Sequence, residues 1–211
     1  MDISHFRREY LKSGLKRTDL LTDPMAQFSH WFNQVKDTGI LDPNAMILAT
    51  STKNGQPSQR TVLLKYYDKN GFVFFTNQKS RKAHEIQENA NVNLHFLWLE
   101  LERQISIAGI AKVISTAESA RYFLTRPRDS QIAAWVSTQS KAISSRQLLL
   151  KSFADMKEKF GKGDVPLPNF WGGYKVEPIT IEFWQGRRNR LHDRFLYTKK
   201  GGMWTVERLA P

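Results

Sequence analysis

Apolar positions recur along this chain with two periods, and each change of period marks a new group of elements. Residues 1–20 follow neither period. They are polar and basic, which predicts an arm of partial helix that stays mobile unless something ties it down. A helical period follows. Asp23 can cap and Pro24 suits a first helical position, and Met25, Phe28, Trp31, Phe32 and Val35 make one apolar face before Gly39.

From Ala45 to Val113 the period is two. Ala45–Thr50 is almost continuously apolar, as in a strand covered on both faces. Asn54-Gly55 and Asn70-Gly71 are hairpin signals on either side of SQRTVLLKYY, and GFVFFT follows the second. VNLHFLW puts Val92, Leu94, Phe96 and Trp98 on one side. Further on, Ile105, Ile107, Ala111 and Val113 point one way while Gln104 and Ser106 take the other face. Sequential strands with short turns predict an antiparallel meander that closes into a barrel. The helical period returns at a capping box of Ser115 and Glu118, breaks at Pro127, resumes near Asp129 and runs again through SSRQLLLKSFADMKEKF. The end of the chain is β: PITIEFW, a loop QGRRN, RLHDRFLY, a turn at Gly201-Gly202, and MWTVERL. The expected class is mainly β with helices, an α+β chain with one domain over residues 21–211 behind the arm of residues 1–20.

Composition limits what such a chain can do. With 40% hydrophobic and 12% aromatic residues, 211 residues bury a large core and disorder is excluded. No apolar run approaches a membrane span and no secretion signal is present, so the expectation is a cytoplasmic protein without a membrane partner. The absence of cysteine removes disulfides, thiolate metal sites and cysteine nucleophiles. There is no GxGxxG, no GxxxxGK[ST] and no HExxH, and no metal is expected. The formal net charge of +12 favours an anionic partner, whether nucleic acid, an acidic surface or a phosphorylated metabolite.

The arrangement of the cations narrows that choice. In EFWQGRRNRLHDRFLY, alternation places Thr180, Glu182 and Trp184 on one face, and Arg190, His192 and Arg194 share a face of the return strand. Three such groups repel unless an anion or a carboxylate such as Glu182 neutralises them; the plain alternative is a solvated edge strand. An imidazole between two guanidiniums has its pKa lowered and is neutral at pH 7. In TNQKSRKAHEI, Ser80 can cap a helix that opens with Arg81 and Lys82. Cations are unfavourable there unless an anion occupies the helix N-terminus; otherwise they are ordinary surface charge. In RTVLLK, alternation sets Arg60 and Lys65 on opposite faces, so one ligand meets both only through a bulge, a strand end or a second subunit. In RYFLTRPRDSQ, Tyr122 and Arg126 stand at i and i+4 and Ser130 falls at the next helix start, a second phosphate cradle or merely a helix–turn–helix corner. Two cradles beside a polar-aromatic cluster suit two phosphorylated planar ligands, such as flavin mononucleotide (FMN) and a phosphorylated substrate. A nucleic-acid binder would instead need cations and aromatics on one continuous exposed face.

These segments resemble a known family. EFWQGRRNRLHDR with the terminal WTVERLAP is similar to the C-terminal signature of the pyridoxamine 5′-phosphate oxidases. RREY, RTVLLK, FFTNQKSRKA, YFLTRPRDSQIAAW, STQS and PLPNFWGG fit the same family in order, over Phe6 to Pro211. Ala133 stands where glycine is expected, which bears on local helix packing. The resemblance implies an FMN-binding split β-barrel with flanking helices, working as a homodimer whose active sites draw on both chains. It implies FMN contacts from Arg60, Thr61, Val62, Leu63, Leu64, Lys65, Phe75, Thr76, Arg81, Lys82, Gln104, Gln139, Ser140, Trp184 and Arg194. The substrate phosphate would meet Lys65, Tyr122, Arg126 and Ser130. Arg190, Leu191 and His192 would lie by the pyridine ring, with Arg190 and His192 as the catalytic pair, and Arg7, Arg8 and Tyr10 would close over it from the arm. The implied activity oxidises pyridoxamine 5′-phosphate and pyridoxine 5′-phosphate to pyridoxal 5′-phosphate. Hydride passes to FMN, dioxygen is reduced to hydrogen peroxide, and the amine route releases ammonia by imine hydrolysis. No nucleic-acid partner is expected. A flavoprotein of the same fold with another role, such as a flavin reductase or cofactor carrier, would share the FMN residues but lack Tyr122, Arg126 and Ser130 together with RLHDR.

Overall fold

The computed structural model describes residues 1–211 as nine strands and five α-helices. Helix α1 (Pro24–Lys36) begins as its sequence dictates: the Asp23 carboxylate accepts the Met25 N–H at 3.0 Å, with proline in the first turn. Its apolar stripe is buried. The Phe28 ring packs edge-on to Phe72 at 4.8 Å, and Trp31 packs edge-on to Phe183 at 5.2 Å. These contacts fix α1 across the main core.

The strands are β1 (Ala45–Ser51), β2 (Pro57–Leu63), β3 (Tyr66–Asp68), β4 (Gly71–Asn77), β5 (Asn91–Trp98), β6 (Arg103–Val113), β7 (Trp171–Gln185), β8 (Asp193–Lys200) and β9 (Met203–Leu209). They form one antiparallel sheet in the order β2-β1-β5-β6-β7-β4-β3, with β8 on β7 and β9 on β8. The sheet curls into a half barrel, so β2 touches β4 although they lie far apart in that order. The hairpins fall where the turn dipeptides predict. The simple meander does not hold, because β7 arrives from the far end of the chain and inserts between β6 and β4.

Helix α2 (Arg81–Glu88) follows β4 directly. Helices α3 (Thr116–Leu124), α4 (Arg128–Val136) and α5 (Arg146–Phe160) cover a second, smaller core around Phe123, Ile132 and Trp171. The capping box of α3 is present: Ser115 Oγ accepts the Glu118 N–H at 3.1 Å, and the Glu118 carboxylate accepts the Ser115 N–H at 3.2 Å.

Four details depart from the pattern. Val113 is exposed: the buried alternation of β6 runs through Ala111 and stops before its last two residues. The second face of β1, with Ile47 and Ala49, is only half-buried. In α5, Leu148, Leu149 and Leu150 face outward while Phe153, Met156 and Phe160 make the packing contacts. Strand β8 begins at Asp193, not at Arg190. Asn189 and Arg190 have φ of 56° and 61°, a left-handed backbone that ends any strand. In the arm, helix is confined to one 3-10 turn at Arg17–Asp19, and Leu15 is buried against the main core. No helix is long and apolar enough to cross a membrane.

Candidate active site

A cavity of about 1200 Å³ opens on the flank of the sheet. Arg60 through Lys65, Phe75, Thr76, Arg81, Lys82, Tyr122, Arg126, Ser130, Gln139 and Ser140 all line it. Arg60 and Lys65 therefore meet one cavity within one chain, against the opposite-face expectation. The cause is the strand end. The Leu64 N–H donates to the Asn44 carbonyl and the Lys65 N–H to the Val73 carbonyl, both at 2.9 Å, so the backbone leaves the β1–β2 ladder there. No second subunit is needed to bring them together.

One wall is a cluster of cations at the start of α2. Lys82 is 6% exposed, and its Nζ donates to Thr76 Oγ1 and Gln139 Oε1, both at 3.1 Å and both neutral. Burial, helped by the charge on Arg60 and opposed by Glu85, lowers its pKa to about 8. Ser80 occupies the N-cap position but makes no capping bond; its Oγ lies 3.4 Å from Lys82 Nζ instead. Behind the wall, Arg60 Nη2 and Arg81 Nε reach opposite oxygens of Glu85 at 3.3 and 2.7 Å. Burial would raise the Glu85 carboxyl, but hydrogen bonds from Ser58, Thr50, Arg81 and Arg60 bring it down to about 2. Glu85 escapes motif reading, although its i,i+4 spacing from Arg81 is a usable signal.

The opposite wall comes from α3, α4 and the turn between them. Tyr122 stacks on Phe75 at 4.0 Å, and Arg126 lies over the Trp171 ring at 4.8 Å. Helix α3 ends at Leu124, so Arg126 reaches the cavity from the turn and not from the helix face. Its Nη1 is buried with no hydrogen-bond partner, and burial lowers its pKa. A buried guanidinium N–H without an acceptor is costly and calls for an anion. Ala133 also lines this cavity and is exposed on α4, so its methyl group bears on the cavity and not on helix packing. Trp171, the tryptophan of PLPNFWGG, to which the sequence assigns no role, also lines this wall.

The remaining predicted residues collect elsewhere. Gln104, Trp184 and Arg194 border a second cavity of about 320 Å³, and Arg7, Arg8, Tyr10, Arg190 and His192 join Trp184 around a third of about 550 Å³. Arg194 is neutralised by Glu182 through two bonds, at 2.7 and 3.2 Å, and that pairing raises its pKa. Arg190 sits on the left-handed loop and not on the strand face with Arg194. The His192 ring lies 4.5 Å from that of Trp184, and its Nδ1 accepts the Arg187 N–H at 3.2 Å. Its pKa is lowered, as expected, but burial is the leading cause and the Arg190 charge the second, with Asp193 opposing. Leu191 is exposed and lines an adjoining groove with His192, Asp193 and Arg208, not the cavity of Tyr10. The two groups of residues line separate cavities within one chain. Trp171 and Trp184, one from each group, stand thirteen residues apart on β7, roughly 40 Å of contour along a curled strand.

A curled antiparallel sheet with a cationic cavity on its flank defines a split-barrel protein. Residues 33–160 match the family model described as pyridoxamine 5′-phosphate oxidase, and residues 171–211 match that of the pyridoxine 5′-phosphate oxidase C-terminal dimerisation region. The chain belongs to the pyridoxamine 5′-phosphate oxidase family and is an enzyme of that family. It is 58% identical over 210 residues to the pyridoxine/pyridoxamine 5′-phosphate oxidase of Shewanella sp. (strain MR-4), covering 100% of this chain and 99% of that one. It is equally identical over 212 residues to the same oxidase of Hahella chejuensis (strain KCTC 2396), covering 100% of both chains. Among solved structures, PhzG from Burkholderia lata 383, in complex with tetrahydrophenazine-1-carboxylic acid, superposes with a TM-score of 0.89 at 27% identity, covering 95% of this chain and 99% of that one. A pyridoxamine 5′-phosphate oxidase-related, FMN-binding protein from Nostoc punctiforme PCC 73102 shares the fold with a TM-score of 0.74 at 16% identity, covering 90% and 98%.

Proposed function

We propose that the chain binds FMN and oxidises pyridoxamine 5′-phosphate and pyridoxine 5′-phosphate to pyridoxal 5′-phosphate, as a homodimer whose active sites are shared between subunits. The observation that carries this is the pairing of two cationic walls in one cavity: Lys82, whose buried ammonium is hydrogen-bonded only to neutral oxygens, and Arg126 with a buried, partnerless Nη1. Two monophosphate esters suit those walls. Arg81, Lys82 and Arg60 would hold the FMN phosphate, with Thr76 and Gln139 supporting Lys82. Lys65, Tyr122, Arg126 and Ser130 would hold the substrate phosphate. When bound, FMN supplies the hydride acceptor and passes the electrons to dioxygen, giving hydrogen peroxide.

The chain's own residues bind and orient. Fixing the substrate at its phosphate while the partner subunit supplies Trp184, Arg190 and His192 over the ring would convert a bimolecular encounter into an oriented one, worth on the order of 7–11 kcal/mol in favourable cases. Because Nδ1 of His192 accepts from the Arg187 N–H, the proton of the neutral ring sits on Nε2. His192 would therefore donate a hydrogen bond to a substrate oxygen from Nε2, and would not act as a base through that atom. That the two residue groups line separate cavities within one chain supports a shared site, as does the match to a dimerisation region.

Anaerobic mixing of purified protein with pyridoxine 5′-phosphate tests the proposal. Bleaching of the flavin absorbance is the expected result. An FMN-loaded protein that stays yellow would reject it.

A further inference from the structure

The arm lays Tyr10 against Trp184 and His192, edge-on, at 5.7 and 5.6 Å between ring centroids. The group that holds it there lies outside the arm. Glu102 sits just before β6 with φ 54° and ψ 40°, and it is 8% exposed in spite of its charge. One carboxylate oxygen accepts the Leu11 N–H at 3.3 Å and the other accepts the Lys12 N–H at 2.9 Å. Its backbone carbonyl accepts the Gly186 N–H at 2.8 Å and Gln185 Nε2 at 3.2 Å. A single residue thus joins the arm to the loop that carries Arg190 and His192. Gly186 completes the seat. A Cβ added there would lie 2.8 Å from the Tyr10 ring and 3.1 Å from the Glu102 Cβ, so only glycine leaves room for the tyrosine.

We propose that Glu102 is a positioning residue: its carboxylate seats the N-terminal arm so that Tyr10 forms one wall of the cavity around Arg190 and His192, and Gly186 keeps that seat open. The latch rests on the proposed function for what the wall encloses. A carboxylate suits the task because it offers an acceptor oxygen to each of two adjacent N–H groups, whereas an amide offers one. Asp193 anchors the arm further along by accepting the Leu15 N–H at 3.0 Å. Arg8 Nη2 adds only an exposed tether, to the Leu99 carbonyl at 2.8 Å, so loss of Glu102 loosens the segment bearing Tyr10 while Leu15 stays seated.

The test compares FMN-loaded wild type with Glu102→Ala, Glu102→Gln and Gly186→Ala. Trypsin cleavage after Arg7, Arg8 and Lys12 is followed by mass, and KM and kcat for pyridoxine 5′-phosphate are measured in parallel. Glu102→Ala is expected to be cut on the order of tenfold faster, with KM raised by a similar factor and FMN affinity unchanged, and Glu102→Gln to fall between it and wild type. Gly186→Ala is expected to reproduce both effects by displacing Tyr10, and it decides the matter if Glu102→Ala does not fold. Wild-type cleavage rates in the variants overturn the proposal. Faster cleavage with unchanged KM overturns it too, since the arm would then be anchored without serving the site. A wild-type protein that takes up no FMN counts against the proposed function instead, and the cleavage rates still report on the latch.

Discussion

Lys82 shows what a single side chain can be asked to do. Its pKa is lowered to about 8 from an ordinary 10.5, so the cost of burying its charge is absent above pH 10.5, grows as pH falls toward 8, and is complete below it. A bound phosphate ester favours the charged form and pulls that pKa back up. FMN affinity is therefore expected to weaken as pH rises past about 8, by at most about tenfold per pH unit, and Lys82→Met should abolish the slope. Fluorescence quenching of FMN across the pH range measures it; an equally steep slope in the variant contradicts the assignment. Arg126→Ala should leave FMN binding intact and raise KM for pyridoxine 5′-phosphate roughly ten- to a hundredfold, the range for a charge-assisted hydrogen bond. Lys82 stands out in the sequence because cations at a helix start need a reason, and Arg126 because it follows Tyr122 at i+4 with Ser130 beyond, although that set also fits a plain helix–turn–helix corner. Glu102 does not stand out, and Glu85 does so only through its i,i+4 spacing from Arg81. Their distant partners, the arm and Arg60, lie about 90 and 25 positions away, and no local pattern records such a pairing.

Among the elements, those with their own chemistry at the ends were the easiest to foresee. Asp23 and Pro24 at α1, Ser115 with Glu118 at α3, and the glycine turns at Gly55 and Gly201-Gly202 all lie where the residues require. Alternation extends β8 back to Arg190 because it cannot register a left-handed pair such as Asn189 and Arg190. That pair takes Arg190 and His192 off the strand face and leaves Arg194 on it, beside Glu182. Helix α1 yields a stability prediction. Phe28 is fully buried between α1 and the sheet, so Phe28→Ala should cost about 3–5 kcal/mol in urea unfolding, with the m-value unchanged. A cost under about 1 kcal/mol would mean that α1 is not fixed across the core.

At the scale of the molecule, the curled sheet brings both cationic walls to one large cavity, and β7 carries Trp171 and Trp184 to separate cavities. Pattern and spacing offer the two cationic groups as cradles, each beside a plain alternative, and give the β character of the barrel. Neither could show that Trp171 and Trp184, on one strand, serve different ends of the sheet, since that depends on β7 inserting between β6 and β4. Only the resemblance carried the shared site. The most direct measurement is subunit complementation. Arg126→Ala removes a residue of the large cavity, and Arg190→Ala removes one of the group proposed to come from the partner. Each parent should be slow at low pyridoxine 5′-phosphate. Refolded together in equal amounts, half the dimers are mixed and each mixed dimer carries one intact site, so about a quarter of wild-type activity should return. No recovery above the two parents would place both residues in one chain's site and contradict the account.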